Sequence, residues 1–196
     1  MIKLTLMKKL SLYIFLVLMF SSLSSFADDI RDFQIEGMSI GDSALDYFSE
    51  EELKNANVEG YKDKKFLMLG IWKEYKLYDV LQIYVKPNDS KYKIHAIAGV
   101  IIYSDNLEDC YKKKDEIVND LSENFKNLKK NDYGRVKNPV ESDPYGGTYD
   151  LIVFDFIDGS VMQVSCNDWS EKSEILDSVK VEVYSQEVVN YLSTKN

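Results

Sequence analysis

Apolar residues recur along this chain with two different periods, and the periods divide it into elements. Lys65–Lys73, Asp79–Lys86 and Tyr92–Tyr103 are dense in β-branched and aromatic residues and read as three strands. Their connectors, Tyr75–Leu77 and Pro87–Ser90, are short, which favours antiparallel neighbours. From Leu107 to Lys129 the period becomes helical. Cys110, Ile117, Leu121, Phe125 and Leu128 fall on one stripe, Lys112, Glu116, Asn119, Glu123 and Lys126 lie off it, and Ser104-Asp105-Asn106 supplies the cap. Alternation returns in Thr148–Ile157 and Ser160–Cys166, which flank the hairpin signal Asp158-Gly159, and again in Val179, Val181 and Val183. Ser185 then caps a closing helix with Val188, Val189 and Leu192 inward.

Nearer the start, Asp28–Glu36 reads as a lead-in with a short strand at Phe33–Glu36. Ser39 or Asp42 is expected to cap a short helix through Phe48. Ser49-Glu50-Glu51-Glu52 has the capping-box pattern and starts a second helix that runs to about Ala56. Together they predict a helix pair lying on a sheet, too acidic to read DNA. Asn131–Gly147 is polar, with Pro139, Pro144 and Gly146-Gly147, and reads as a long loop of the functional kind, with short irregular strands as the alternative. The order (β)αα-βββ-α-βββ-α predicts an α+β fold. Its sheet is antiparallel-dominated with about five to seven strands, and its helices lie mainly on one face. Residues 28–196 then form one domain, or alternatively two tandem α-βββ halves meeting near residue 106.

The first 27 residues follow a different pattern. Lys3, Lys8 and Lys9 precede an eleven-residue apolar run, Leu10–Phe20, and small and polar residues lead to Ser25-Phe26-Ala27. That is the order of a secretory signal peptide cleaved after Ala27. The run is shorter than the roughly 18–20 residues that span a bilayer. The first Cys is Cys110, so a lipoprotein anchor is not expected. The prediction is a periplasmic chain with no stable membrane anchor after cleavage. Loss of three Lys takes the net charge from −9 to −12, which disfavours nucleic acid and anionic headgroups as partners.

Candidate chemistry is sparse. An exported chain with two Cys is expected to pair them, Cys110 with Cys166. His95 is the only His and is placed on one strand face with Ile97 and Ile101, so neither a His-rich metal site nor a triad with a Gly-x-Ser-x-Gly elbow is in view. No Gly-rich phosphate cradle appears, Gly37 and Gly41 lacking its other residues, and no cofactor or metal is expected. Asp155 and Asp158 read as hairpin residues. Acids are abundant enough that counting does not exclude a carboxylate hydrolase. Tyrosines are the remaining signal: Tyr75, Tyr78, Tyr133, Tyr145 and Tyr149 lie in or near loops and form the candidate binding patch.

The stretch Asp29–Asn55, most distinctively Glu36–Phe48 (EGMSIGDSALDYF), with a second block from Cys110 (CYKKKDEIVNDL), resembles a group of uncharacterised exported proteins of marine alpha-proteobacteria. The resemblance brings no activity. Ile35-Glu36-Gly37-Met38-Ser39 before a helical pair is more distantly similar to the entry of the BamE/SmpA-type outer-membrane-assembly lipoproteins, which implies a helix pair on an antiparallel sheet. This chain lacks their lipid-anchor Cys. The functional expectation is a non-enzymatic binding or interaction module with an envelope protein partner. A small-molecule or lipid carrier with an apolar pocket is the first alternative, and a carboxylate-based secreted hydrolase the second.

Overall fold

In the computed structural model of the chain, the described residues are 29–59, 63–103, 106–137, 145–173 and 175–194. The expected signal peptide, the Ser104-Asp105 part of the helix cap, and Pro139 and Pro144 lie outside them. Among the described residues eight strands pair into one sheet: β1 (Asn57–Glu59), β2 (Leu67–Trp72), β3 (Val80–Val85), β4 (Ala96–Ile102), β5 (Lys129–Lys137), β6 (Thr148–Asp155), β7 (Val161–Asp168) and β8 (Ser178–Tyr184). Their spatial order is β1-β2-β3-β4-β8-β7-β6-β5, and every neighbouring pair is antiparallel. The sheet is two four-stranded meanders joined where β4 meets β8. Among the described residues three α-helices accompany it: α1 (Glu50–Asn55), α2 (Leu107–Asn124) and α3 (Gln186–Leu192).

Alternation gives the sheet two unlike faces. Leu69, Ile71, Leu81, Ile83, Val85, Ile97, Ile152, Phe154, Met162, Val164, Cys166, Val179, Val181 and Val183 point to one side and are buried beneath α1, α2 and the chain before α1. The valines of β8 are no more than 1% exposed, and such burial stabilises by about 1.5–3 kcal/mol per side chain. Helix α2 carries the chain from β4, at the seam, to β5 at the far edge. It is fixed to the sheet by the Cys110–Cys166 disulfide, as expected from the sequence, and by Lys114, whose Nζ lies 2.7 Å from Asp150 of β6. A cross-link closing 56 residues contributes on the order of 4 kcal/mol in the loop-entropy account. Arg135 of β5 stacks over Tyr111 of α2, 4.9 Å from its ring centre.

The α+β class and the antiparallel sheet agree with the expectation, and several details do not. The sheet has eight strands among the described residues rather than five to seven. The polar segment from Asn131 supplies most of β5, an edge strand exposed along much of its length and kinked by a register shift between Asp132 and Gly134. Such a strand has no apolar face to betray it. Each half is therefore α-ββββ. The first of the two expected N-terminal helices is only a 3₁₀ turn at Ala44–Asp46, capped by Ser43, whereas the second starts at Ser49 with both capping-box hydrogen bonds. The expected strand at Phe33–Glu36 is a tight turn instead. Glu36 and Gly37 take positive φ, 51° and 84°, so that Ile35 and Met38 exchange backbone hydrogen bonds and both bury. The main helix ends at Asn124, where Phe125 turns into the core, and its buried stripe includes Lys114. His95 precedes β4 at a bend. Its ring packs on Phe66 near α3 and not alongside Ile97.

One glycine shows how tight the helix-covered layer is. A Cβ on Gly99, in β4, would fall within 2.6 Å of three ring atoms of Tyr78. Gly99→Ala should therefore destabilise by about 1–3 kcal/mol through overpacking. In a Tyr78→Ala background the same change should cost well under half as much. Equal costs in the two backgrounds, by urea unfolding, would show that Tyr78 does not set the constraint.

Candidate functional site

The second face of the sheet is open over most of its area, and its side chains fall into rows set by the strand register. One row holds Trp72, Val80, Val100, Lys180 and Ser165; the next holds Gly70, Gln82, Ala98, Glu182 and Gln163; a third holds Met68, Tyr84, Ala96 and Tyr184. Gly70 carries no side chain and Ala98 only a methyl group, so larger neighbours rise around them. The result is a groove of about 790 Å³, within the range that holds a small ligand or a short chain segment. Helix α3 closes one end, with Val188 and Tyr191 packed on Phe66, Ala96 and Tyr184. Trp169, Ile175 and Leu176, from the β7–β8 connection, border the other end. Trp169 is fixed there by its backbone N–H, which donates to Asp177 Oδ1 at 2.8 Å.

Both tryptophans of the chain line this groove. Trp72 is 66% exposed, Ile175 49% and Leu176 50%, and three neighbouring apolar side chains held open to water are a recurrent mark of a contact surface.

Beneath the apolar rim the floor is polar. Glu182 is 4% exposed and accepts hydrogen bonds from Tyr184 Oη at 2.6 Å and Gln163 Nε2 at 2.5 Å, and Lys180 Nζ lies 2.8 Å from its Oε1. Burial works against both charges. Each holds the other ionised all the same, so Lys180 titrates above its ordinary value and Glu182 below. Because Glu182 is depressed, its contribution to stability is complete above the unfolded carboxyl value and is lost as pH falls through the folded one. A carboxylate held ionised in this way is poorly suited to deliver a proton as a general acid. In the same row, across Ala98, Gln82 Oε1 is buried without a hydrogen-bond partner among the described residues.

The candidate tyrosines are not gathered here. Tyr75 and Tyr78 pack against the helix-covered core near β2 and β3, where burial raises both phenols, Tyr78 to about 12. Tyr133 and Tyr149 belong to β5 and β6, at the opposite end of the sheet order, and Tyr145 is 58% exposed just before β6 with Lys172 over its ring. The residues that do converge, Trp72, Trp169, Gln82, Lys180 and Glu182, were not singled out by sequence. The available signal was that the chain has only two Trp. His95 Nδ1 faces Glu187 of α3 at 3.5 Å, and burial with the nearby Lys86 lowers its pKa. Among the described residues no group of three or more His, Cys, Asp or Glu side chains is placed to hold a metal ion.

No family model matches the chain, and neither curated proteins nor solved structures show a match to it.

Removing one partner of the floor pair should be costly. Lys180→Met leaves Glu182 buried without its counter-charge and should destabilise by about 3–5 kcal/mol. Lys180→Met with Glu182→Gln keeps an acceptor for Tyr184 and should recover most of that loss. A double variant no more stable than the single one, in thermal unfolding at neutral pH, would contradict the pairing.

Proposed function

We propose that the protein is a non-enzymatic binding module of the cell envelope, exported and cleaved after Ala27, and that the groove on the open sheet face is its binding surface. The observation that carries the reading is the placement of both tryptophans, one of them two-thirds exposed, around a groove with a polar floor. Exposing such side chains to water is unfavourable unless a partner covers them. The layer between sheet and helices is a packed core, which favours binding on the open face over carriage of a ligand in an enclosed pocket. Among the described residues no helix is long and apolar enough to cross a membrane, and the expected export rests on the leader pattern alone.

The test is photocrosslinking in the native cell. A photoreactive residue replacing Trp72 should trap a discrete product in the envelope fraction, on a chain whose N-terminus is Asp28. The same residue replacing Glu116, on the exposed side of α2, should trap none. A product from position 116 and none from position 72, or a chain retained in the cytoplasm with its leader, would refute the reading.

A further inference from the structure

We infer that the groove takes an extended, apolar stretch of polypeptide from a partner, held across the β4–β8 seam by backbone hydrogen bonds to Lys180 and Gln82. The inference rests on the binding-module reading and names the ligand class of that site.

The polar floor argues for a neutral ligand with both a donor and an acceptor. Lys180 Nζ carries three N–H donors and, among the described residues, pairs with Glu182 Oε1, while its side chain remains 23% exposed. It can therefore donate to a group entering the groove. That group gains little from negative charge, because Glu182 already neutralises the ammonium, Glu59 stands in the groove lining, and the chain carries a net charge of −9. A carbonyl oxygen suits the position better than a carboxylate. Gln82 supplies the converse. Its Oε1 lacks a partner among the described residues, so turning this amide toward an incoming N–H gains a hydrogen bond.

Spacing and walls then separate a peptide from other neutral ligands. Gln82 is on β3 and Lys180 on β8, two strand steps apart with β4 between. Lys180 also lies two residues along β8 from Glu182, which stands opposite Gln82 across Ala98, so the diagonal is about 12 Å, the length of three to four residues of extended chain. One peptide can thus offer a carbonyl to Lys180 and an N–H to Gln82 while running across the strands. The lining joins aliphatic side chains (Met68, Val80, Val100, Ile102, Ile175 and Leu176) to aromatic ones, both tryptophans among them, which matches Val, Leu or Phe side chains of a peptide. A fatty acid would bring a carboxylate towards Glu59 and leave Gln82 unsatisfied. A sugar could stack on the tryptophans, but it would leave Met68, Val80, Val100, Ile102, Ile175 and Leu176 without an apolar partner.

The probe is the uncharged, capped heptapeptide acetyl-NVLVFVN-amide, titrated into the processed, oxidised protein while tryptophan emission is read. A saturable shift is expected. The same peptide N-methylated at alternate residues, which removes backbone donors, should bind about tenfold more weakly. Gln82→Met should weaken the unmodified peptide about five- to tenfold while the protein melts no lower than the parent, since the substitution removes an unpaired buried acceptor. Equal binding of the methylated peptide, or no effect of Gln82→Met, would overturn the backbone recognition. Saturation by sodium oleate or cellohexaose with no response to the peptide would overturn the peptide inference and leave the binding module standing. Silence with every probe also overturns it. The crosslink at position 72 then decides whether the wider reading falls too.

Discussion

Seven residue pairs between β4 and β8, from Ala96 opposite Tyr184 to Ile102 opposite Ser178, hold two four-stranded meanders in one sheet. Every other long-range feature depends on this seam. It sets Val179, Val181 and Val183 beneath the helices, and it sets Lys180 and Glu182 on the side the helices leave open. It also places β2 and β7 close enough for Trp72 and Trp169 to border one groove. Antiparallel neighbours within each meander form locally, whereas β4 and β8 are separated by residues 103–177. The Cys110–Cys166 bond ties the intervening helix to β7 beside that pairing and reduces the conformational freedom the unfolded chain would otherwise have.

The two faces carry different physical assignments. On the covered face, close packing leaves no spare volume, down to Gly99 beneath Tyr78. The buried ammonium there is paired, Lys114 with Asp150, while the Tyr111 hydroxyl is buried without a hydrogen-bond partner among the described residues. The open face is arranged otherwise. It keeps a buried ion pair whose desolvation is only partly offset by mutual attraction. Across Ala98 from Glu182 lies an amide oxygen with no hydrogen bond among the described residues, and above both stand exposed tryptophan and aliphatic side chains. The unpaired oxygen and the exposed apolar side chains are unfavourable in a free monomer, and both are relieved by the same event, the arrival of a neutral, partly apolar chain segment. That coincidence is the basis for assigning function to this face.

Much of the fold could be read from residue patterns because the relevant signals are local. Asp158-Gly159 marks a hairpin, Ser49 with Glu52 marks a helix start, and the alternating valines of β8 mark a half-buried strand. The disulfide followed from two Cys behind an export-like leader. What escaped is non-local or amphiphilic. Strand β5 is polar on both sides because it is an edge, so periodicity gives no sign of it. The Ala44 turn was overextended into a helix because one turn of 3₁₀ shares the spacing of Leu45 and Phe48. In β8 the run Ser178, Lys180, Glu182 and Tyr184 looks like an ordinary solvated face. Only the register across the seam shows that its charges lie under a groove floor. The tyrosines drew notice through their place in loops, while the tryptophans that meet are far apart in sequence.

The central claim is that ligand meets the open face across the seam. Methyl- and indole-resolved NMR during titration with the apolar peptide tests it most directly. The account predicts that the shifts concentrate at the indoles of Trp72 and Trp169 and the methyls of Val80, Val100, Ile102, Ile175 and Leu176, leaving Val118, Leu121 and Val179 unmoved. Shifts centred on the α2 side of the sheet, or spread along the β5 edge, would contradict it.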